Sequence, residues 1–194
     1  MKSFSALVLA AASATGVMSA AVGNVNNVVT DANTGASFKL NNNVVNSAAY
    51  APFGNVPVVY PVNKAAIDAR DQPTEPEPNP DRPDVTPDYV YVLQCDDSGF
   101  RGDCLVFGSP PGECVSYFSY DAVNSTDISA KYNEKVISLS TNTGGMCQFY
   151  KFKGCDNKGD DRGLSASYNY DLGVPLPDDP RATEYEHQIS SWRC

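Results

Sequence analysis

Histidine is almost missing from this chain: His187 is the only one among 194 residues. An imidazole-based metal centre needs more nitrogen ligands than that. A Ser-His-Asp arrangement would have to be built on His187, and no GxSxG elbow accompanies it. Cysteine does not occur before Cys95, and no two cysteines are spaced as CxxC, which argues against a thioredoxin-type redox pair and against zinc. No stretch approaches the roughly 18 consecutive apolar residues of a membrane span. Basic residues are outnumbered, with 14 Lys and Arg against 23 Asp and Glu and a net charge of -9. Such acidity argues against nucleic acid or an anionic membrane surface as partner. No two basic residues are adjacent, so there is no dibasic processing site, and Arg70 is the one plausible single-basic cut.

What is present begins with Lys2, the short apolar core Ala6-Leu7-Val8-Leu9-Ala10-Ala11-Ala12, and small residues up to Ala21. That order predicts a secretory signal over residues 1–20, cut between Ser19 and Ala21, and hence a secreted, extracellular product. Secretion sets how the six cysteines are read. Cys95, Cys104, Cys114, Cys147, Cys155 and Cys194 are expected to form three disulfides, for which 15 pairings are open.

Residues 21–87 are expected to carry no fold of their own. The first part is rich in Asn and Val and poor in charge (Asn24-Val25-Asn26-Asn27-Val28-Val29, Asn41-Asn42-Asn43-Val44-Val45), which reads as a loosely ordered or pro-segment. Its short Val pairs could instead add to an exposed sheet edge. From Pro73 to Pro87, proline alternates with acidic residues, which reads as a semi-rigid extended linker.

The folded unit is predicted over residues 88–194, a sufficient length for one core. It opens on Tyr89-Val90-Tyr91-Val92-Leu93, an uninterrupted apolar run of the kind found in buried strands. Further strands are expected at 104–107, 114–118, 136–139, 146–150, 164–168 and 189–192, with turns at Asp96-Asp97-Ser98-Gly99 and Gly108-Ser109-Pro110-Pro111-Gly112. No window keeps helical spacing for more than two turns. The chain also repeats itself: Tyr132-Asn133-Glu134-Lys135-Val136-Ile137-Ser138-Leu139 aligns without a gap on Tyr185-Glu186-His187-Gln188-Ile189-Ser190-Ser191-Trp192. Short strands in two sets, with a period near fifty residues, predict an all-β fold of two Greek-key-like units packed as a β-sandwich.

Several spacings together resemble the βγ-crystallin-like domains, most closely the small secreted six-cysteine forms of filamentous fungi. They are Cys95-x4-Phe100-x-Gly102-x-Cys104, Gly112-Glu113-Cys114, Tyr132-Asn133-Glu134-Lys135-Val136-x-Ser138, Cys147-x7-Cys155 and the ending Ile189-Ser190-Ser191-Trp192-Arg193-Cys194. The resemblance covers Tyr89 to Cys194 and nothing upstream. It implies two Greek keys in one protease-resistant domain without catalytic activity. It also implies calcium loops in which each ion bridges the two repeats. Here the first loop has Ile137 where a hydroxyl belongs, and the second has His187 where a carboxylate or amide belongs. Calcium takes six to eight oxygens. At most one weak site is therefore expected, from Glu134, the Lys135 carbonyl and Ser190, and Lys135 itself opposes a cation.

Other candidates are weaker. The pairs Asp96-Asp97, Asp160-Asp161 and Asp178-Asp179 supply carboxylates, but glycoside hydrolysis needs two converging across a cleft, and neighbours in a chain diverge. Asn124-Ser125-Thr126 is the only N-glycosylation sequon. The loop Lys151 to Arg162 mixes charge of both signs around Phe152 and is the first guess for a recognition surface. The expected function is thus a non-enzymatic, monomeric extracellular module that binds a protein or glycan or simply persists. The rival reading is a secreted inhibitor, killer-toxin-like protein or host-directed effector on the same scaffold.

Overall fold

In this computed structural model, residues 27–30, 35, 37–62, 87–142, 145–159 and 161–194 are described. The signal over 1–20, Arg70 and the proline run up to residue 86 lie outside them. In chain order the elements are β1 (Val28–Thr30), β2 (Ser37–Lys39), α1 (Asn42–Val45), α2 (Tyr50–Asn55), β3 (Val58–Val59), β4 (Val90–Asp97), β5 (Arg101–Ser109) and β6 (Cys114–Ser116). They continue with α3 (Asp127–Tyr132), β7 (Ser138–Thr141), β8 (Cys147–Tyr150), β9 (Leu164–Ala166), β10 (Tyr168–Asn169) and β11 (Ser191–Arg193). Among the described residues, the three α-helices run for four to six residues, in keeping with the absence of sustained helical spacing.

The two copies of the repeat end in different sheets. A five-stranded sheet has the order β10-β7-β4-β5-β3, and a four-stranded sheet the order β6-β11-β8-β9. The first half of the folded unit (β4 to β7) puts three strands in the five-stranded sheet and lends its third, β6, to the other. The second half (β8 to β11) does the reverse with β10. Residues 164–168, expected as one strand, are split at Ser167, so that β9 stays in one sheet and β10 crosses to the other. Residues 114–118 also shorten: after Ser116 the chain turns into a 3₁₀ helix, Tyr117–Ser119, closed by reciprocal Ser116 and Ser119 caps.

The inner faces of the two sheets share one core, in which Val92, Phe107 and Leu139 meet Val115, Phe149, Leu164 and Trp192. Phe107 lies edge-on to Tyr117, Tyr120, Tyr132 and Trp192, with ring centroids 5.0–5.6 Å apart. The disulfides are Cys95–Cys104 across β4 and β5, Cys114–Cys155 from β6 to the loop after β8, and Cys147–Cys194 from β8 to the end of β11.

One serine per half fixes the fold-back of the first hairpin. Ser138 Oγ donates to the Asp97 carbonyl at 2.7 Å and accepts from the Phe100 amide at 3.2 Å. Its repeat partner Ser191 donates to the Phe152 carbonyl at 2.5 Å and accepts from the Cys155 amide at 3.0 Å. Phe100 and Cys155 both have positive φ, 57° and 50°, so each hydroxyl holds an uncommon backbone turn in place. Both serines are fully buried. Ser138→Ala and Ser191→Ala each orphan a buried amide and a half-buried carbonyl, and each is expected to lower unfolding free energy by about 2 kcal/mol in denaturant melts. The exposed Ser165→Ala serves as the silent control, and an equally silent Ser138→Ala and Ser191→Ala would refute the lock.

The described residues between 27 and 62 depart from the expectation of an unstructured segment. β3 pairs in parallel with β5, Val58 opposite Val106 and Val59 opposite Phe107, so the edge-strand alternative is the one realised. The β1–β2 hairpin and the two short helices lie over the outer face of the five-stranded sheet. There Phe38, Leu40, Val44, Ala49 and Phe53 are buried with Tyr91, Leu93, Phe100 and Val106. Phe38 stacks on Tyr91 at 3.8 Å. The Asn41 amide donates to the Asn142 carbonyl and the Val62 amide to that of Ser119, both at 2.8 Å. Gly108 makes room for this cover: a Cβ there would come within 2.9 Å of the Tyr60 ring. The segment needs no core of its own because the sheet supplies one.

Candidate functional site

The repeats meet at a crossing that joins the two halves. The Glu134 amide donates to the Ile189 carbonyl at 2.9 Å, and the His187 amide donates to the Val136 carbonyl at 3.2 Å. Glu134 and His187 both take left-handed backbone, with φ of 58° and 53°. Beside them Val136 and Ile189 are fully buried, as are Tyr132 and Tyr185 just upstream. The sequence alignment of the repeats is therefore a spatial one: each turn residue is bonded to the buried aliphatic residue of the other repeat, Glu134 to Ile189 and His187 to Val136.

Of the expected calcium ligands, Glu134 and Ser190 are brought together: the Ser190 hydroxyl donates to Glu134 Oε1 at 3.4 Å. Ser190 is buried, whereas Glu134 and Lys135 are exposed. The carboxylate thus has a protein partner already. Among the described residues, no cluster of three or more His, Cys, Asp or Glu is placed to hold a metal ion. His187 is exposed on the matching turn.

The carboxylate pairs serve local structure. Asp96 Oδ1 accepts from the Asp103 amide at 2.7 Å, and Asp97 lies 3.8 Å from the Arg101 guanidinium. Asp179 caps the 3₁₀ helix Pro180–Tyr185, accepting from the Arg181 amide at 3.0 Å. The Arg181 side chain bonds to Asp179 as well and holds its carboxyl below the usual carboxylate range. Asp161 accepts a short hydrogen bond from the Tyr185 hydroxyl. Burial first, and that bond second, push the Tyr185 phenol above its ordinary value. Asp160 lies outside the described residues.

The loop from Lys151 is pinned at several points. Cys155 is tied to Cys114, and the Phe152 carbonyl is held by Ser191. Lys151 pairs with Glu184 at 3.0 Å and lies over the Tyr185 ring, while Lys153 sits 3.2 Å from the centroid of Phe118. Phe152 itself is left 40% exposed. Lys151 is thus folded back on the body, Lys153, Lys158 and Arg162 stay exposed, and the loop also presents a partly exposed aromatic ring. Asn124 stands elsewhere, on an exposed turn beside a surface cleft.

Among the described residues, no helix is long and apolar enough to cross a membrane. Compared with family models, with curated proteins and with solved structures, the chain matches none of them.

Proposed function

We propose that this chain is an extracellular, disulfide-stapled βγ-crystallin-like protein, built as two Greek keys, that acts by persistence and by binding through fixed loops instead of by turnover. The observation carrying this reading is the reciprocal exchange of β6 and β10, with the two serine locks repeated across it. That arrangement makes one inseparable body of two halves, a scaffold suited to survive outside the cell. Digestion of the intact protein by a broad-specificity protease tests it. The oxidised form should persist many times longer than the reduced form, and equal half-lives would sink the reading.

Calcium belongs to the same reading as at most one weak site, formed by Glu134, the Lys135 carbonyl and Ser190. A ligand bound only to the folded state adds RT ln(1 + [L]/Kd), about 2.7 kcal/mol at a hundredfold excess over Kd. With millimolar calcium against chelator, the expected change in the melt is well below that and vanishes in Glu134→Ala. A full-sized shift, or one that survives Glu134→Ala, would overturn this assignment.

One observation favours a second reading, a secreted inhibitor, toxin or effector. Phe152 is exposed between two lysines on a loop anchored by a disulfide. Its carbonyl is turned inward to Ser191, so a partner would be met by side chains and not by a free backbone strand. Inhibition of a protease or of cell growth that is lost in Phe152→Ser would shift the balance to that reading.

A further inference from the structure

The segment Asp121–Ser129 is a rigid loop that presents one asparagine. Buried Asp121 accepts from the Ile128 amide at 2.9 Å and the Ser129 amide at 3.1 Å, which fixes both ends of the loop. Between them the Ser125 amide donates to the Ala122 carbonyl at 3.0 Å, closing a turn whose third residue is Asn124 with φ 64°. Asparagine tolerates that left-handed conformation better than most residues. Ser125 Oγ is occupied by the Asp127 amide, whereas Asn124 and Thr126 face solvent.

Beside Asn124 lies a cleft of about 410 Å³ between this loop, Phe118 and Val62. Val62 belongs to the N-terminal cover, and its amide is bound to the Ser119 carbonyl at 2.8 Å. Val62 is 61% exposed and Val123, at the tip of the turn, 91%. Two such valines beside one cleft form an apolar rim with Asp121 and Ser125 as its polar members. A pyranose ring has that same division, apolar on its C–H faces and polar at its hydroxyls and acetamide.

We propose that Asn124 carries an N-linked glycan whose first N-acetylglucosamine seats in this cleft, joining the end of the N-terminal cover to the body of the fold. The donor class is an oligosaccharide carried on a lipid diphosphate. The Asn124 side-chain nitrogen forms a bond to the anomeric carbon, the bond from that carbon to the phosphate oxygen breaks, and the lipid diphosphate leaves with the electron pair. The displaced amide proton goes to base. The seated sugar covers Val62 and Phe118, which the protein alone leaves open to the cleft. The inference rests on passage through the secretory route but not on the crystallin-like reading. Secretion is scored by the presence of the chain in the medium, separately from glycan occupancy.

The test uses the full chain secreted by a eukaryotic host. Peptide mass mapping should find a glycan at Asn124, present in Thr126→Ser and absent in Thr126→Ala and Asn124→Gln. The purified glycoprotein is then trimmed in two ways, by an endoglycosidase that leaves one sugar and by an amidase that leaves none. The single-sugar form should melt with the untreated protein, and the sugar-free form should melt lower by roughly 2–4 °C. Val62→Ser should erase that difference. A secreted chain with unmodified Asn124 would overturn the site. An occupied Asn124 with the same melting point in all three forms would overturn the seat.

Discussion

Phe53→Ala is expected to release the N-terminal cover while leaving the two-sheet body folded. Phe53 has no exposed surface and sits among Phe38, Ala49 and the outer face of the five-stranded sheet. Truncating a buried phenylalanine costs about 3–5 kcal/mol through lost transfer energy and the cavity left behind. That loss falls on an element attached through a two-residue parallel pairing, a handful of amide bonds and the buried side chains themselves. Local opening therefore precedes global unfolding. Hydrogen exchange should show amides of residues 37–62 losing protection by two or more orders of magnitude, with β7 and β11 unchanged. The uncovered face, with Tyr91, Leu93 and Val106, should make the variant self-associate as its concentration rises. Val28→Ser, at a position 43% exposed, should do neither. If protection falls equally in β7 and β11, cover and body are one cooperative unit and the layered description is wrong.

Removing Cys114–Cys155 by a double change to serine is expected to cost about 4 kcal/mol, against about 2.6 kcal/mol for Cys95–Cys104. The two bridges span 41 and 9 residues, and the entropy that a cross-link removes from the unfolded chain grows with the logarithm of that span. The longer bridge also joins the two halves, from β6 to the loop whose Phe152 carbonyl and Cys155 amide are held by Ser191. Chemical denaturation of the two double variants measures the order directly. The reverse order would mean that local geometry, and not loop closure, governs these disulfides.

Much of the body was legible from residues alone. Tyr132 and Tyr185, Val136 and Ile189, and Ser138 and Ser191 could be paired as a repeat, and each pair occupies equivalent ground in the fold. The pairing of the cysteines was not legible, because it depends on which half receives which third strand. That exchange turns on Ser167, a single residue between β9 and β10 without a distinctive signature. The cover was missed for a physical reason: Phe38, Leu40, Val44 and Phe53 are too sparse to form a core by themselves. The clue lay elsewhere, in Tyr91-Val92-Leu93, where consecutive apolar residues in a strand require both faces of the sheet to be covered. Glu134 and Ser190, named together only through the resemblance, are side-chain neighbours in the fold. The cleft beside Asn124 could not be foreseen, since Val62 reaches it only through the fold of the cover.

The position of β11 sets the timetable of folding. It lies in the interior of the four-stranded sheet, hydrogen-bonded to β6 on one side and to β8 on the other, yet it comprises residues 191–193. A chain emerging from its N-terminus can form the β4–β5 hairpin early, but β6 has no neighbour until β11 arrives. The Cys147–Cys194 bridge has to wait for the same moment. Assembly of the four-stranded sheet thus waits for β11, a second-half strand that pairs with β6 of the first half. A chain halted a dozen residues early would hold every strand of the five-stranded sheet, yet leave β6 unpaired and Cys147 without its partner.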